Sequence, residues 1–196
     1  GDRTIIHELR SKLGASRGQT ALELLWALNL SGGFDEATAL KTLEHPEPQV
    51  RLWTVRLLAD ERRLPSDIAA RVAEIARTES DVEVRSQFAA SAKRLPPEQS
   101  LPIVRSLAMH DEDLSDPRQP LMIWWALESA VDPANRVELD TSFSASGVLS
   151  HKNPRANLNS PALGLFEDPT FWTRPLVQRE LLPRLMRRFA STGQRA

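Results

Sequence analysis

A period of 34 residues constrains this chain more than any other feature of its sequence. Shifting the sequence against itself by that interval superimposes Arg17, Arg51 and Arg85. The spacing of apolar residues within each unit is helical and carries no strand signal. A fixed period in the range of about 30 to 47 residues is typical of stacked helix pairs, so the sequence predicts an all-α fold, a right-handed α-solenoid. Two apolar columns run through four copies in register: Ala21, Val55, Ala89 and Ile123, and Leu24, Leu58, Ala92 and Ala126.

Composition excludes several classes of function. The 26 acidic residues nearly cancel the 25 basic residues, and the net charge of −1 gives no overall field that would attract nucleic acid or an anionic membrane. No apolar run approaches the roughly 20 residues that cross a bilayer, so no membrane span is expected. The chain has no cysteine, which excludes disulfides, thiol catalysis and cysteine metal sites.

The periodicity predicts one HEAT-like repeat domain over residues 1–196, with units at about residues 17–46, 47–79, 80–113 and 116–135. Asp35 is the expected N-cap of a helix over residues 36–44, and Ser66 or Asp67 that of a helix over residues 68–77. Ser80 and Glu83 form a capping-box pattern at the start of the third unit. Other helices are expected over residues 5–13, 20–30, 48–58, 98–109 and 120–131.

Beyond residue 132 the repeat pattern ends. Residues 140–170 are rich in Ser, Asn, Pro and Gly and are too polar to form a core of their own, so we expect a long loop or insertion. Helical spacing returns at residues 175–190, the predicted terminal helix. Pro183 should kink this helix or lie in its first turn.

The recurring arginine is the most regular polar feature, and two roles are open for it. Equivalent positions in stacked units place Arg17, Arg51 and Arg85 in a row along one surface, where guanidinium groups can bind carboxylates or phosphates of a partner. Alternatively, each arginine pairs with an acidic group or a helix end in the neighbouring unit. Repeat positions usually serve stacking, which favours the second role.

The tryptophans have the same two alternatives. Trp124 and Trp125 point about 100° apart on a helix, so both are buried only if the helix is widely covered. An exposed tryptophan often anchors a partner, whereas the neighbouring Ile123 and Leu127 favour a place in the core. Arg51, Trp53, Arg85, Trp124 and Trp125 are the candidate partner-binding residues.

No pattern for catalysis or for a cofactor is recognisable. GxSxG, GxGxxG and P-loop motifs are absent, and the four histidines have no metal-ligand spacing. The acidic cluster from His110 to Asp116 has oxygen donors that suit calcium, but it lacks the spacing of an EF-hand. A solvated acidic loop is the favoured interpretation, and we expect no enzyme activity, no metal and no cofactor.

The units HPEPQVRLWTVRLLADE, ESDVEVRSQFAASAKRLP and DPRQPLMIWWALES resemble HEAT repeats. More specifically, they resemble the HEAT section of multidomain proteins of planctomycete-type bacteria, in which a dehydrogenase-like β-propeller precedes the repeats and a c-type haem domain with a CxxCH motif follows them. The resemblance covers about residues 20–132 and again the sequence from Trp172 onward. It implies a spacer or docking module within a larger extracytoplasmic redox protein. This chain has no cysteine and cannot itself attach haem.

The expected function is therefore non-catalytic binding of a protein, or of a neighbouring domain, through the concave surface of the stack. The competing hypothesis is a DNA-binding enzyme of the alkylpurine DNA glycosylase type, because such enzymes are also built of HEAT-like helix pairs and RLWTVRLL is similar to them. Net charge and the acidic loop argue against a DNA duplex. A basic groove with an exposed tryptophan beside a carboxylate would favour the enzyme, and a groove of mixed charge would favour the scaffold.

Overall fold

The structure is a computed structural model that describes residues 3–131 and 167–193, and every regular element in those ranges is helical. The predicted all-α class is thereby confirmed. Most of the predicted insertion at 140–170 lies outside the described residues. The helices are α1 (Arg3–Ala15), α2 (Gly18–Leu30), α3 (Glu36–Leu43), α4 (Pro48–Leu58), α5 (Ser66–Thr78), α6 (Val82–Ala92), α7 (Pro97–Leu107), α8 (Gln119–Val131), α9 (Pro169–Thr173) and α10 (Leu182–Gly193). A 3₁₀ turn, Asp111–Ser115, precedes α8, and a π-helical turn, Val177–Leu181, precedes α10.

The helices pack in pairs, and helices two places apart in the chain also pack on one another. α1 packs on α2, α3 on α4, α6 on α7 and α7 on α8. In addition, α2, α4, α6 and α8 contact one another in succession, and so do α3, α5 and α7. Two rows of helices result, in which each helix lies beside its equivalent in the next unit. A reciprocal pair of hydrogen bonds joins the second row, since the Gln99 side chain accepts from Leu64 N at 2.8 Å and donates to Leu64 O at 2.7 Å.

The helix starts agree only partly with the predicted caps. Asp35 caps α3 as expected, because its Oδ1 accepts from Thr38 N at 2.9 Å. The prediction for α6 was wrong by one residue: the cap is Asp81, whose Oδ1 accepts from the backbone N–H groups of Glu83 and Val84. The prediction for α5 was also wrong, since Ser66 is already helical and the extended Pro65 occupies the cap position without a side-chain hydrogen bond.

The end of α2 is fixed by two consecutive glycines. Gly32 has a φ of +75° and donates to Asn29 O, and Gly33 N donates to Leu28 O at 2.8 Å. These two bonds form a Schellman motif, in which a residue with positive φ lets the chain satisfy the last helical carbonyls and turn away. Gly33 is also closely packed, since a Cβ there would lie 2.5 Å from Leu28 Cδ1 and 2.9 Å from Ile6 Cγ2.

One large apolar core spans most of the described chain. It runs from Leu43 in α3 to Leu185 in α10 and includes the fully buried Phe88 and Phe171. A smaller cluster lies between α1, α2 and α4. The segment after residue 166 therefore shares its core with the helix pairs. Arg174 ties it down further, pairing with Asp111 at 2.8 Å and donating to the carbonyl of Met109.

Pro183 lies in the first turn of α10, one of the two placements expected for it. A proline cannot donate the backbone hydrogen bond of a helix interior. The π-helical turn Val177–Leu181 ends directly before α10, and the N–H of Leu182 donates to Val177 O. The chain thus passes from the π-helical turn directly into α10, and Pro183 is the second residue of that helix.

We predict that Gly33→Ala lowers the free energy of unfolding by about 1–3 kcal/mol, because the new methyl group displaces Leu28 and Ile6 from their packed positions. Gly14→Ala is the matched control. A Cβ at Gly14 meets no atom within 4 Å, and alanine in a helix raises stability by about 0.5–1 kcal/mol. Urea unfolding followed by circular dichroism measures both, and equal effects of the two substitutions would contradict the packing argument.

Candidate functional site

Arg51 is bound within the protein by a fork of hydrogen bonds. Its Nε and Nη2 donate to the two carboxylate oxygens of Glu79, each at 2.7 Å. Its Nη1 donates to the carbonyls of His45 and Pro46 at 2.8 and 3.1 Å. Arg51 lies in the first turn of α4, whereas Glu79 follows α5, so the pair connects the beginning and the end of the second predicted unit.

Arg85 repeats this geometry one unit later. Its Nε donates to Asp113 at 2.8 Å and its Nη2 to the second oxygen of the same carboxylate. Its Nη1 donates to the carbonyls of Glu79 and Ser80, both at 2.9 Å. In both cases the carboxylate follows its arginine by 28 residues. We call these two pairs the arginine ladder. The hydrogen bonds to their carboxylates raise the pKa of Arg51 and of Arg85.

The acidic cluster before α8 is less exposed than predicted, because one of its carboxylates pairs with Arg85. We expected a solvated loop, but Asp113 is only 2% exposed and lies in the 3₁₀ turn Asp111–Ser115. Arg85, itself 4% exposed, draws the carboxylate into the protein. An ion pair buried this far is stable only when both partners are fully hydrogen-bonded, as the fork of Arg85 achieves.

The ladder positions on either side carry no ion pair. Arg17 is exposed and donates to the carbonyls of Gly14 and Ser16. The residue 28 places further on is His45 instead of a carboxylate. In the fourth unit Gln119 occupies the arginine position, and its Nε2 donates to Val82 O at 2.7 Å and Ser86 Oγ at 3.0 Å. In the part of the chain that the structure describes, the charged fork is thus confined to the second and third units.

His45 is buried and holds both ring nitrogens in hydrogen bonds. Nδ1 accepts from Glu47 N at 3.1 Å, so the proton lies on Nε2, which donates to Leu13 O at 3.2 Å. Burial lowers the pKa of His45 below its usual 6.5, and the neighbouring Arg17 contributes in the same direction. The neutral imidazole therefore links α1 to the loop before α4.

The tryptophans differ in how far their side chains are exposed. Trp124 is 7% exposed and belongs to the core, while Trp125 beside it is 44% exposed. Trp53 is half-buried; its ring meets that of Trp26 edge to face at 5.0 Å, and Arg56 lies over it at 4.9 Å from the centroid. Of the five candidate residues, Trp125 is the one with a large exposed apolar surface. Partner contact by any of the five stays a prediction.

Trp125 lines a groove of about 780 Å³ across the end of α6. One wall is the turn after α4, the other is α8 with Met122 and Trp125, and the floor is Ala89 and Ala90. We call it the Trp125 groove. Its full lining is Arg62, Arg63, Ala89, Ala90, Lys93, Arg94, Leu95, Pro96, Pro97, Met122, Trp125 and Ser129.

The lining of the Trp125 groove is basic. Arg63 donates to Glu98 at 3.1 Å, and Arg94 to Asp60 at 3.3 Å, so each shares its charge with a surface carboxylate. Lys93 places its ammonium 5.4 Å from the centroid of the Trp125 ring. Arg62 has no ionic partner among the described residues, and its φ of +56° is a conformation that residues other than glycine rarely adopt.

The groove lies where the repeat has a small residue. Arg56 in the second unit and Trp124 in the fourth are large, whereas the equivalent residue in the third unit is Ala90, which leaves space over α6. The cations come from residues 62–63 after α4 and 93–94 after α6, and the sequence reasoning missed them. A signal was present, because Asp60 and Arg94 occupy equivalent positions in successive units with opposite charge.

The described residues show neither a metal centre nor a membrane helix. Within residues 3–131 and 167–193, no group of three or more His, Asp or Glu side chains is placed to hold a metal ion. In the same part of the chain, none of the helices has the length and hydrophobicity that spanning a bilayer requires.

In comparisons with protein-family models, with curated proteins and with solved structures, no significant match to this chain was found. The resemblance to HEAT repeats accordingly stays a prediction that rests on the sequence units themselves. What the structure adds is an all-helical protein of about ten helices packed as pairs.

We predict that Asp113→Ala lowers the free energy of unfolding by about 3–5 kcal/mol, because it leaves the guanidinium of Arg85 buried with only the exposed Glu112, 3.8 Å away, as its counter-charge. The double substitution Arg85→Met with Asp113→Leu should cost clearly less, since no buried charge remains. Arg63→Ala, which breaks an exposed ion pair, should change stability by no more than about 1 kcal/mol. Chemical denaturation measures all three, and a double variant no more stable than Asp113→Ala would contradict a buried-charge penalty.

We also predict a pH-dependent loss of stability that originates at His45. Its pKa is lowered in the folded state, so the unfolded state binds the proton more readily and stability falls as pH decreases below about 6.5. In His45→Gln the side-chain amide can donate to Leu13 O but does not titrate. Thermal melts between pH 8 and 5 should show a smaller pH slope for this variant than for the native protein. Parallel slopes in the two proteins would exclude His45 as the cause.

Proposed function

We propose that this chain is a non-catalytic binding scaffold, an α-solenoid of HEAT-like helix pairs that holds a protein, or a neighbouring domain, in the Trp125 groove. The solenoid interpretation is supported by the two rows of equivalent helices and by the arginine ladder, which repeats the same contact after 34 residues. Repeat proteins bind partners on extended surfaces of this kind.

The observation that carries the binding role is the exposed ring of Trp125 among four basic side chains. Tryptophan and arginine dominate the energetics of protein interfaces. Trp125 is 44% exposed, whereas the neighbouring Trp124 is buried, so a large part of the Trp125 ring is available to a partner. Arg51 and Arg85 contribute indirectly, by fixing the units that form the groove.

The alternative, a DNA-binding enzyme, is favoured by one feature and opposed by two. A basic groove with an exposed tryptophan is what such an enzyme would present. However, no carboxylate lines the Trp125 groove, and Arg63 and Arg94 are already paired with Glu98 and Asp60. A scaffold is the better account of these side chains. The resemblance to multidomain redox proteins suggests that the partner is another domain of an extracytoplasmic protein.

A photo-crosslinking amino acid at Met122, in the wall of the groove, tests the scaffold. We expect it to capture one defined protein or domain in cells, and the same residue at Arg77, exposed on α5, to capture none. The identified partner, once purified, should bind the native chain at least about tenfold more tightly than the Trp125→Ala variant.

Two results would contradict the proposed function. One is crosslinking at Met122 to nucleic acid instead of protein. The other is release of bases from alkylated DNA by the purified chain, at a rate that Trp125→Ala abolishes. Arg77→Ala is the matched control for both measurements, since it removes an exposed cation outside the groove.

A further inference from the structure

We propose that the Trp125 groove takes an extended acidic peptide segment that carries one large apolar side chain. This proposal rests on the proposed function and specifies the chemistry of the partner. The twelve lining residues include four cations and no carboxylate. Complementary charge on the partner is therefore negative.

The four cations differ in how much charge they offer. Arg63 and Arg94 are partly neutralised by Glu98 and Asp60, although all four of these side chains are 42–54% exposed. Arg62 has no ionic partner in the described part of the chain, and Lys93 contacts only the face of an aromatic ring in the groove. Arg62 and Lys93 are thus the two cations of the lining that pair with no carboxylate among the described residues. Two such cations suit two carboxylates of one peptide.

The apolar part of the groove supplies an anchor site beside those charges. Trp125, Met122, Pro96 and Pro97 supply apolar surface to the lining, together with Ala89 and Ala90. Lys93 lies over the Trp125 ring in a cation–π contact, which favours this position of the ring. A volume of about 780 Å³ lies within the range of about 300–1,000 Å³ that ligand clefts have. A short peptide with one aromatic or large aliphatic side chain fits this shape.

Arg62 is the residue most specifically placed for recognition. It lies in the turn after α4, its φ is positive, and it lines the groove. Backbone strain of this kind concentrates at functional sites. Glycine would adopt the same φ without strain. Arginine at this position has a conformational cost, and within the described structure no ion pair of its exposed side chain offsets that cost.

A peptide accounts for the groove better than a nucleic acid does. Proteins that bind a DNA duplex commonly contact about 6–10 phosphates. The Trp125 groove has two unshared cations, and further carboxylates at its rim, Asp60 and Glu98, would repel a polyanion. A peptide with two or three acidic side chains matches the two unshared cations and brings fewer negative charges near these carboxylates than a duplex does.

Fluorescence anisotropy tests the proposal with a fluorescein-labelled peptide of nine residues, in which glutamates and aspartates flank one central phenylalanine. We expect this peptide to bind the native chain, with an affinity that falls as salt is raised from 0.05 to 0.3 M on the order of tenfold. A peptide with lysines in place of the acids should not bind. Replacing the phenylalanine by alanine should weaken binding about tenfold.

Arg62→Gly keeps the positive φ and removes the cation, and it should weaken binding about fivefold. Trp125→Ala should weaken it about tenfold and abolish the preference for phenylalanine. The matched controls are Arg77→Ala, an exposed cation outside the groove, and Leu30→Ala, an apolar side chain that is 87% exposed. Both should stay within about twofold of the native chain. Circular dichroism verifies that all variants are folded.

Three outcomes would overturn the acidic-peptide proposal. They are binding of the lysine peptide as tight as that of the acidic one, an effect of Arg62→Gly no larger than that of Arg77→Ala, and tighter, Arg62-dependent binding of a labelled 20-nucleotide DNA. If the acidic peptide fails while crosslinking at Met122 still captures a defined protein, the partner chemistry is wrong and the scaffold stands. If both fail, the groove is not a docking site.

Discussion

The buried fork between an arginine in the first helix of a unit and the carboxylate that follows the second helix of the same unit is the contact on which the rest of the structure depends. Arg85 and Asp113 are almost completely removed from water, and each is costly there without the other. Arg85 also donates to the carbonyls of Glu79 and Ser80, at the boundary with the preceding unit. Since the geometry of the fork needs two parallel N–H···O bonds, it fixes the two ends of one unit relative to each other. The other contacts between neighbouring units, such as that of Arg94 with Asp60, repeat at nearly the same spacing.

The ends of the ladder show what replaces the ion pair where it is absent. At the first junction His45 stands where a carboxylate stands later, and it joins α1 through a neutral hydrogen bond. In the fourth unit Gln119 replaces the arginine and binds a carbonyl and a hydroxyl of α6. Both substitutes are uncharged, so these junctions avoid burying an unpaired charge. The stability of the first junction depends on pH instead, because the His45 imidazole that links it can be protonated.

The groove that we propose as the binding site lies where the repeat is broken. Positions that are equivalent in every unit are committed to stacking, as the ladder illustrates. Ala90 interrupts a column of larger side chains, and Trp125 stands over the space that results. Arg62 adopts a positive φ at the turn between α4 and α5, beside the same space. A regular stack supplies a rigid frame, and a few irregular residues give one groove a chemistry of its own.

The sequence by itself determined the class of fold and most of the helices, because the apolar period of each helix and strong end signals such as Asp35 and Gly32 are local properties of the chain. It also offered an ion-pairing role for Arg51 and Arg85, although it placed the acidic partner in the neighbouring unit and the structure places it in the same unit. Only the tertiary structure decided which carboxylates they bind, because Asp113 looks like a solvated acid until Arg85 is placed beside it. The groove was likewise beyond sequence reasoning. Its cations, its alanine floor and Trp125 come from three separate segments, and only the packing of α4, α6 and α8 brings them together.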